Sequence, residues 1–252
     1  MAGTALGARL QQQPFIADQA AGDGGRQAFL LALTTEHFTL QTARAVTVSD
    51  SNGRTALYLG SLSSSLVALA LVAQQSALGR VFWAFAFTVL PAVLFLGLVT
   101  YVRVLQSSIE DIIYARAINR IRHYYTELDP ARAGYFLLSD RDDVRGALQN
   151  MYLRDSWTQF LFTLPSAVAV INGLLAGTTV ALALAFTVGA VPLLAMVAGA
   201  GVGSAVLALH VAYQVHHFSR MKTTVEALFP SRSPADRPSR PGPVAGPLQP
   251  SA

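Results

Sequence analysis

The chain has 252 residues, of which 52% are apolar and 13% charged, with mean hydropathy +0.42, a formal net charge of +4 and no cysteine. A soluble domain carries about a quarter charged residues, so the missing charge assigns much of this surface to lipid. Lack of cysteine excludes disulfides, thiolate metal sites and thiol nucleophiles, and basic residues that flank apolar blocks, without interleaved aromatics, argue against nucleic acid as a partner.

Residues 1–25 are rich in Gly, Ala and Gln, without apolar periodicity, and read as a flexible leader. They hold no apolar core followed by a small-residue cleavage site, so insertion would rely on the first span. Over residues 26–55, Phe29, Leu30, Leu33, Phe38, Leu40 and Val46 on a Thr- and Arg-bearing background predict an amphipathic helix. It would lie along the headgroup surface or against the protein's own cytoplasmic part.

Residues 56–102 hold two spans. Ala56 to Ala73 gives 18 uncharged residues and Val81 to Val102 gives 22, each enough to cross about 30 Å of hydrocarbon at about 1.5 Å per residue. Trp83 and Tyr101 stand near opposite interfaces, as amphipathic aromatics prefer.

Residues 103–156 are aqueous, with eight Arg and eight carboxylates between Arg103 and Asp155. Tyr114, Ile118, Ile121, Tyr125 and Leu128 follow steps of 4, 3, 4 and 3, the spacing of a helix seam that packs on another helix. Asp129-Pro130 stops that helix. Ser139 with Asp142 resembles a capping box and predicts a second helix from Asp140 towards Trp157.

Within residues 157–218 no Asp, Glu, Lys or Arg occurs, which leaves room for two long spans or three short ones. Of the 18 Lys and Arg residues only Arg80 falls in an outer connection, and since cytoplasmic flanks hold the basic excess, an even number of spans keeps the rest inside. The third and fourth helices are therefore placed at about 158–186 and 192–217, turning at Gly189 to Pro192. Residues 219–252 form a Pro-rich tail, with seven prolines from Pro230 onward, and read as disordered.

The fold class expected is thus all-α: a polytopic membrane protein of four transmembrane helices with helical cytoplasmic extensions, in a bacterial plasma (inner) membrane with both termini cytoplasmic. Arg outnumbers Lys 17 to 1, a bias of GC-rich coding that suggests the bacterial source.

Small residues recur every four positions in three spans, among them Gly60, Ser64 and Ala68, Gly173 and Gly177, and Gly199 and Gly203. Such stripes let helix backbones approach closely in lipid, within one subunit or between subunits. Ser61, Ser64 and Ser65 put hydroxyls inside the first span, where they need a carbonyl of their own helix, a partner or water. Those three residues, with Asn172 and His210 in the later spans, are the pore-lining or interhelical candidates, because intramembrane polar groups are expensive. On this reading the first span faces the interior or an assembly axis, and the second faces lipid.

The acidic residues Asp140, Asp142 and Asp143 lack the Gly and terminal Glu of a calcium loop and read as helix caps and ion-pair partners of Arg141 and Arg145. No metal site, cofactor or catalytic motif is expected, and the protein is read as no enzyme.

Phe38 to Ala73, where Ser49-Asp50-Ser51-Asn52-Gly53-Arg54 leads straight into a serine-bearing span, resembles the passage from helix into membrane of the Pycsar effectors, bacterial two-span proteins of cyclic-nucleotide defence systems. The second pair of spans departs from that plan, so no functional residue is carried over. Arg116 to Asp129 (RAINRIRHYYTELD) resembles the uncharacterised four-span membrane proteins of actinobacteria, which implies no activity.

Intramembrane hydroxyls together with a heptad-spaced seam point to a self-associating protein that forms an ion-conducting pore, with the seam holding subunits together. A membrane-anchored scaffold or signalling effector that recruits a cytoplasmic protein partner is the alternative. A small-molecule transporter ranks third, since the spans hold no charged side chain.

Overall fold

The computed structural model describes residues 13–153, 162–187, 189 and 191–231, with side chains from residue 24 onward apart from that of Thr224. Among the described residues five α-helices follow in order: α1 (Gln13–Ser76), α2 (Arg80–Leu128), α3 (Val144–Asn150), α4 (Leu164–Thr187) and α5 (Pro192–Thr224), with a 3-10 turn at Pro130–Tyr135 after α2. No strand occurs among the described residues. Helices α1, α2, α4 and α5 are each long and apolar enough to cross a membrane, with mean hydropathies of 1.9, 2.3, 2.0 and 2.0 over their most apolar stretches.

Helix α1 differs from the expected division into leader, amphipathic helix and span. It runs unbroken from Gln13, and so takes in part of the segment read as a leader. Nothing between Phe15 and Ser76 forces a break, for that stretch lacks proline, and Gly53 stays helical. Asp50 and Arg54 pair at 2.7 Å across the junction where surface helix and span were expected to part.

The polar half of α2 runs alongside. Phe29 meets Tyr124 edge-on at 5.3 Å, and Arg44 pairs with Asp111 at 2.6 Å. The amphipathic stretch of α1 therefore packs on its own chain.

The first hairpin turn is tight. Ala77 and Leu78 adopt left-handed φ values of 45° and 58°, at a cost of roughly 1–2 kcal/mol each. A Cβ on Gly79 would sit 2.8 Å from the Ser76 carbonyl, so glycine is needed there. The second turn passes Gly189 at φ +60° and restarts at Pro192, the first residue of α5, as the spacing predicted.

The α1/α2 and α4/α5 hairpins meet through α2 and α4, so α2 is the central helix. Its buried face, Ala86, Leu90, Val93, Gly97 and Tyr101, packs with Val168, Ala169 and Leu175 of α4, and Trp83 stacks on Phe186 at 4.5 Å near the opposite end. The expectation that the first span faces inward and the second faces lipid is reversed within one chain. Only 6% of the apolar stretch of α1 is buried, against 22% in α2 and 39% in α4.

Gly173 and Gly177 of α4 oppose Gly203 and Gly199 of α5. A Cβ added to any of them would lie 2.5–2.9 Å from a carbonyl oxygen of the facing helix. These stripes join two helices of one chain by backbone contact, the packing that replaces hydrophobic burial in lipid. Gly60, by contrast, borders open space, where an added Cβ would meet nothing within 4 Å, and Ala68 is only half-buried.

Beyond the four-helix section α2 continues 26 residues past Val102, about 39 Å. The seam residues Ile118 and Ile121 are buried there, Tyr125 packs near His37 and Phe136, and Tyr114 and Leu128 are half-buried. The face expected to hold subunits together is thus largely covered by its own chain.

The helix expected from Asp140 towards Trp157 is reduced to α3. Its cap is Asp143, whose Oδ1 accepts the Gly146 N–H at 2.8 Å. Asp140 and Asp142 are drawn out of helical register by partners elsewhere, namely His123 and the backbone of Leu228 and Phe229. Trp157, the first residues of the third predicted span and the tail from residue 232 lie outside the described residues.

Candidate functional site

The buried face of α1 carries Ser51, Thr55, Tyr58, Leu62, Ser65 and Leu69, in steps of 4, 3, 4, 3 and 4. That spacing turns Tyr58 into the bundle, where it is fully buried. Its hydroxyl donates to Asn172 Oδ1 at 2.8 Å, and Asn172 Nδ2 lies 3.3 Å from His210 Nε2. His210 Nδ1 is 2.8 Å from the Val206 carbonyl, which can only accept. The ring proton therefore sits on Nδ1, and Nε2 receives the Asn172 amide.

Tyr101 of α2 closes the arrangement. Its hydroxyl donates to the His210 carbonyl, and its ring meets the imidazole edge-on at 4.3 Å. All four long helices thus supply one connected set of polar groups.

Gly97 makes the room. A Cβ there would collide with Asn172 Oδ1 and lie 2.8 Å from the Tyr58 hydroxyl. Since Gly97 precedes Arg103 by six residues, the cluster lies about 9 Å inside the uncharged section.

One turn along α5, buried Gln214 donates through Nε2 to Thr163 and Ser166, each at 3.3 Å. Polar side chains therefore line the α4/α5 contact from Asn172 to the polar end of the bundle. In lipid a polar group without a partner costs several kcal/mol, and here each finds one, so the set locks the register of the helices.

The structure brings Asn172 and His210 together as an interhelical pair. It leaves the serines apart from them: Ser61 and Ser64 are exposed on α1, and Ser65 is half-buried on its inner side. Tyr58, Gly97 and Gln214 escaped the reading of the sequence. The signal for Gln214 was its place one turn after His210 in a charge-free helix. For Tyr58 it was the period of α1 continued through the span.

Asn172→Leu is expected to leave the Tyr58 hydroxyl without an acceptor and His210 Nε2 without a donor. A loss of about 1–3 kcal/mol should result, read as a lower midpoint of thermal unfolding in detergent.

The polar end holds a second network. Asp142 is fully buried and accepts the N–H groups of Leu228 and Phe229 at 3.0 and 2.7 Å, with Arg120 at 2.7 Å. Burial alone would raise its pKa. The Phe229 and Leu228 amides and the Arg120 guanidinium outweigh that and hold its carboxyl below the usual carboxylate range.

Phe229 stacks on His123 with centroids 3.8 Å apart, and Asp143 accepts both the N–H and the hydroxyl of Ser231. The segment following α5 is thereby strapped to the loop before α3. Asn119 ties the same loop to α2 by donating to the Arg141 carbonyl and accepting from Asn150.

No protein-family model, curated protein or solved structure matches this chain.

Proposed function

We propose that this integral membrane protein assembles with copies of itself around a hydrated, ion-conducting path, with α1 at the assembly axis. One observation carries the reading: Ser61, Ser63 and Ser64 are exposed, and none of their hydroxyls makes a hydrogen bond among the described residues. The hydroxyls of Thr55, Ser76, Thr88, Thr179 and Thr187 all bond back to their own helices at 2.7–2.9 Å. Three unsatisfied hydroxyls on the least covered span are costly against hydrocarbon and cheap against water or a neighbouring subunit.

The centre of one copy is filled by Tyr58, Tyr101 and Asn172, so a path has to form between copies. The basic polar end would face the cytoplasm of a bacterium, by the charge rule for flanking segments.

Because the chain has no native cysteine, single thiols test this cleanly. Ser61→Cys and Ser64→Cys in proteoliposomes are expected to react with a membrane-impermeant methanethiosulfonate and to cross-link between subunits. Phe95→Cys, on an exposed lipid-facing position of α2, should do neither. Equal protection of all three thiols, with only monomers after oxidation, would remove the proposal.

A scaffold role is favoured by a different feature. Tyr135 and Leu137 are 87% and 89% exposed in the loop beyond α2, far from the four-helix section. Apolar side chains displayed there suit a protein partner. Leu137→Asp would weaken capture of such a partner while leaving any oligomer intact.

A further inference from the structure

We propose that the cleft between α2, α3 and the end of α5 binds the phosphate group of a soluble small molecule. This goes beyond the pore reading and does not rest on it. Arg116, Arg145 and Lys222 line the cleft, which has a volume of about 670 Å³.

Arg116 is 4% exposed. Its Nε donates to the Asp142 carbonyl and its Nη2 to the Val225 carbonyl, both at 2.7 Å, while Nη1 is buried with no partner among the described residues. Burial pulls the pKa of this guanidinium down, and with two carbonyls as its bonded partners the nearby Asp142 and Asp143 carboxylates offset its charge only in part. An anion would meet both needs at once.

Around it Arg145 and Lys222 are exposed and make no ion pair among the described residues. At the same end Arg44, Arg120, Arg132 and Arg141 each pair with a carboxylate, and Arg122 bonds the Asn119 amide oxygen and the Ser139 carbonyl. Two acids also line the cleft, Asp143 and Glu226. Asp143 is occupied by the Gly146 and Ser231 N–H groups and the Ser231 hydroxyl, and Glu226 is an exposed residue. Three cations against two acids leave the lining net positive, which favours a negative ligand.

Size and position narrow its source. The volume falls in the range of about 300–1,000 Å³ typical of small-molecule sites, more than inorganic phosphate needs. Arg116 lies 13 residues past Arg103, about 20 Å along α2. A headgroup layer is only about 5–7 Å thick, so a soluble phosphate compound fits better than a lipid.

The test uses the full chain in phosphatidylcholine nanodiscs, with equilibrium dialysis of inorganic phosphate and of adenosine monophosphate. At least one probe is expected to bind saturably, with affinity that falls as salt rises. The exposed pair of changes Arg145→Gln and Lys222→Gln should weaken it roughly tenfold or more, with the unfolding midpoint unchanged. Arg116→Lys, which keeps the charge and loses the fork, should weaken it in the same direction.

A parallel arm in nanodiscs containing phosphatidylglycerol separates the sources. If only that lipid is retained, and is lost from the double variant, the soluble ligand is overturned and the cleft holds a headgroup phosphate instead. Absence of saturable binding in both arms, or binding unchanged in the double variant, overturns the site.

Discussion

Replacing Asp142 with alanine is expected to release the segment Val225–Ser231 from the polar end and to cost about 3 kcal/mol, the loss of charge-assisted bonds to two backbone donors from a buried site. The carboxylate is fully buried and its two oxygens take the Leu228 and Phe229 amides and the Arg120 guanidinium. With it gone, the amides have water as their only alternative, so the strap must lift to be satisfied. Lifting it also unstacks Phe229 from His123 and frees the Arg116 bond to the Val225 carbonyl. Faster tryptic cleavage after Lys222 and earlier unfolding in denaturant are the readouts.

The same contact has a pH dependence with a definite sign. Because the folded state holds the Asp142 carboxyl below its ordinary value, its contribution is fully present above the unfolded pKa of about 4. It is lost as pH falls from there through the lower folded value. Protection of the Leu228 and Phe229 amides from hydrogen exchange should therefore be level from neutral pH down to about 5 and fall only below about 4.

None of this strap is legible in the sequence, because Asp142 and its amide partners are 86 and 87 positions apart and no periodicity links them. The spans are legible for the opposite reason. Lipid excludes charge over a fixed thickness, so gaps between charges report the crossing directly, and Gly189 with Pro192 marks the turn inside the long charge-free stretch. The glycine stripes of α4 and α5 were readable too, although only the structure shows that they pair with each other.

Continuity of α1 was hidden by Ser49 to Arg54, a run that reads as a break when no neighbour is known. With α2 alongside, Arg44 and Asp111 meet, and the rod needs no interruption. Tyr58 was hidden by the ambiguity of tyrosine, which serves equally as an interface anchor or as a buried donor, and only its partner Asn172 decides between the two. The serines were readable as hydroxyls that need a carbonyl of their own helix, a partner or water. Which of them lack one depends on the rotation of α1 against α2, which the sequence pattern alone leaves free.

That rotation makes opposite predictions for glycines of the same apparent type. Gly199→Val is expected to destabilise the fold by about 3 kcal/mol or more, at the upper end of overpacking costs. Its Cβ would lie 2.5 Å from the Gly177 carbonyl oxygen and 2.8 Å from the Ala181 Cβ, and a helix backbone cannot give way locally. The α4/α5 pair must open instead, which draws His210 from Asn172 and compounds the loss. A Cβ on Gly60 meets nothing within 4 Å among the described residues beyond its own helix backbone, so for Gly60→Val the unfolding midpoint should stay within an equivalent of about 0.5 kcal/mol. If α1 lines an assembly axis, that same change should abolish cross-linking through Ser64→Cys, because valine holds a second helix away from the stripe. Thermal unfolding and cross-linking measured on both variants separate the two kinds of packing: a loss of stability at Gly60, or preserved stability at Gly199, would contradict the placement of α1 and α5.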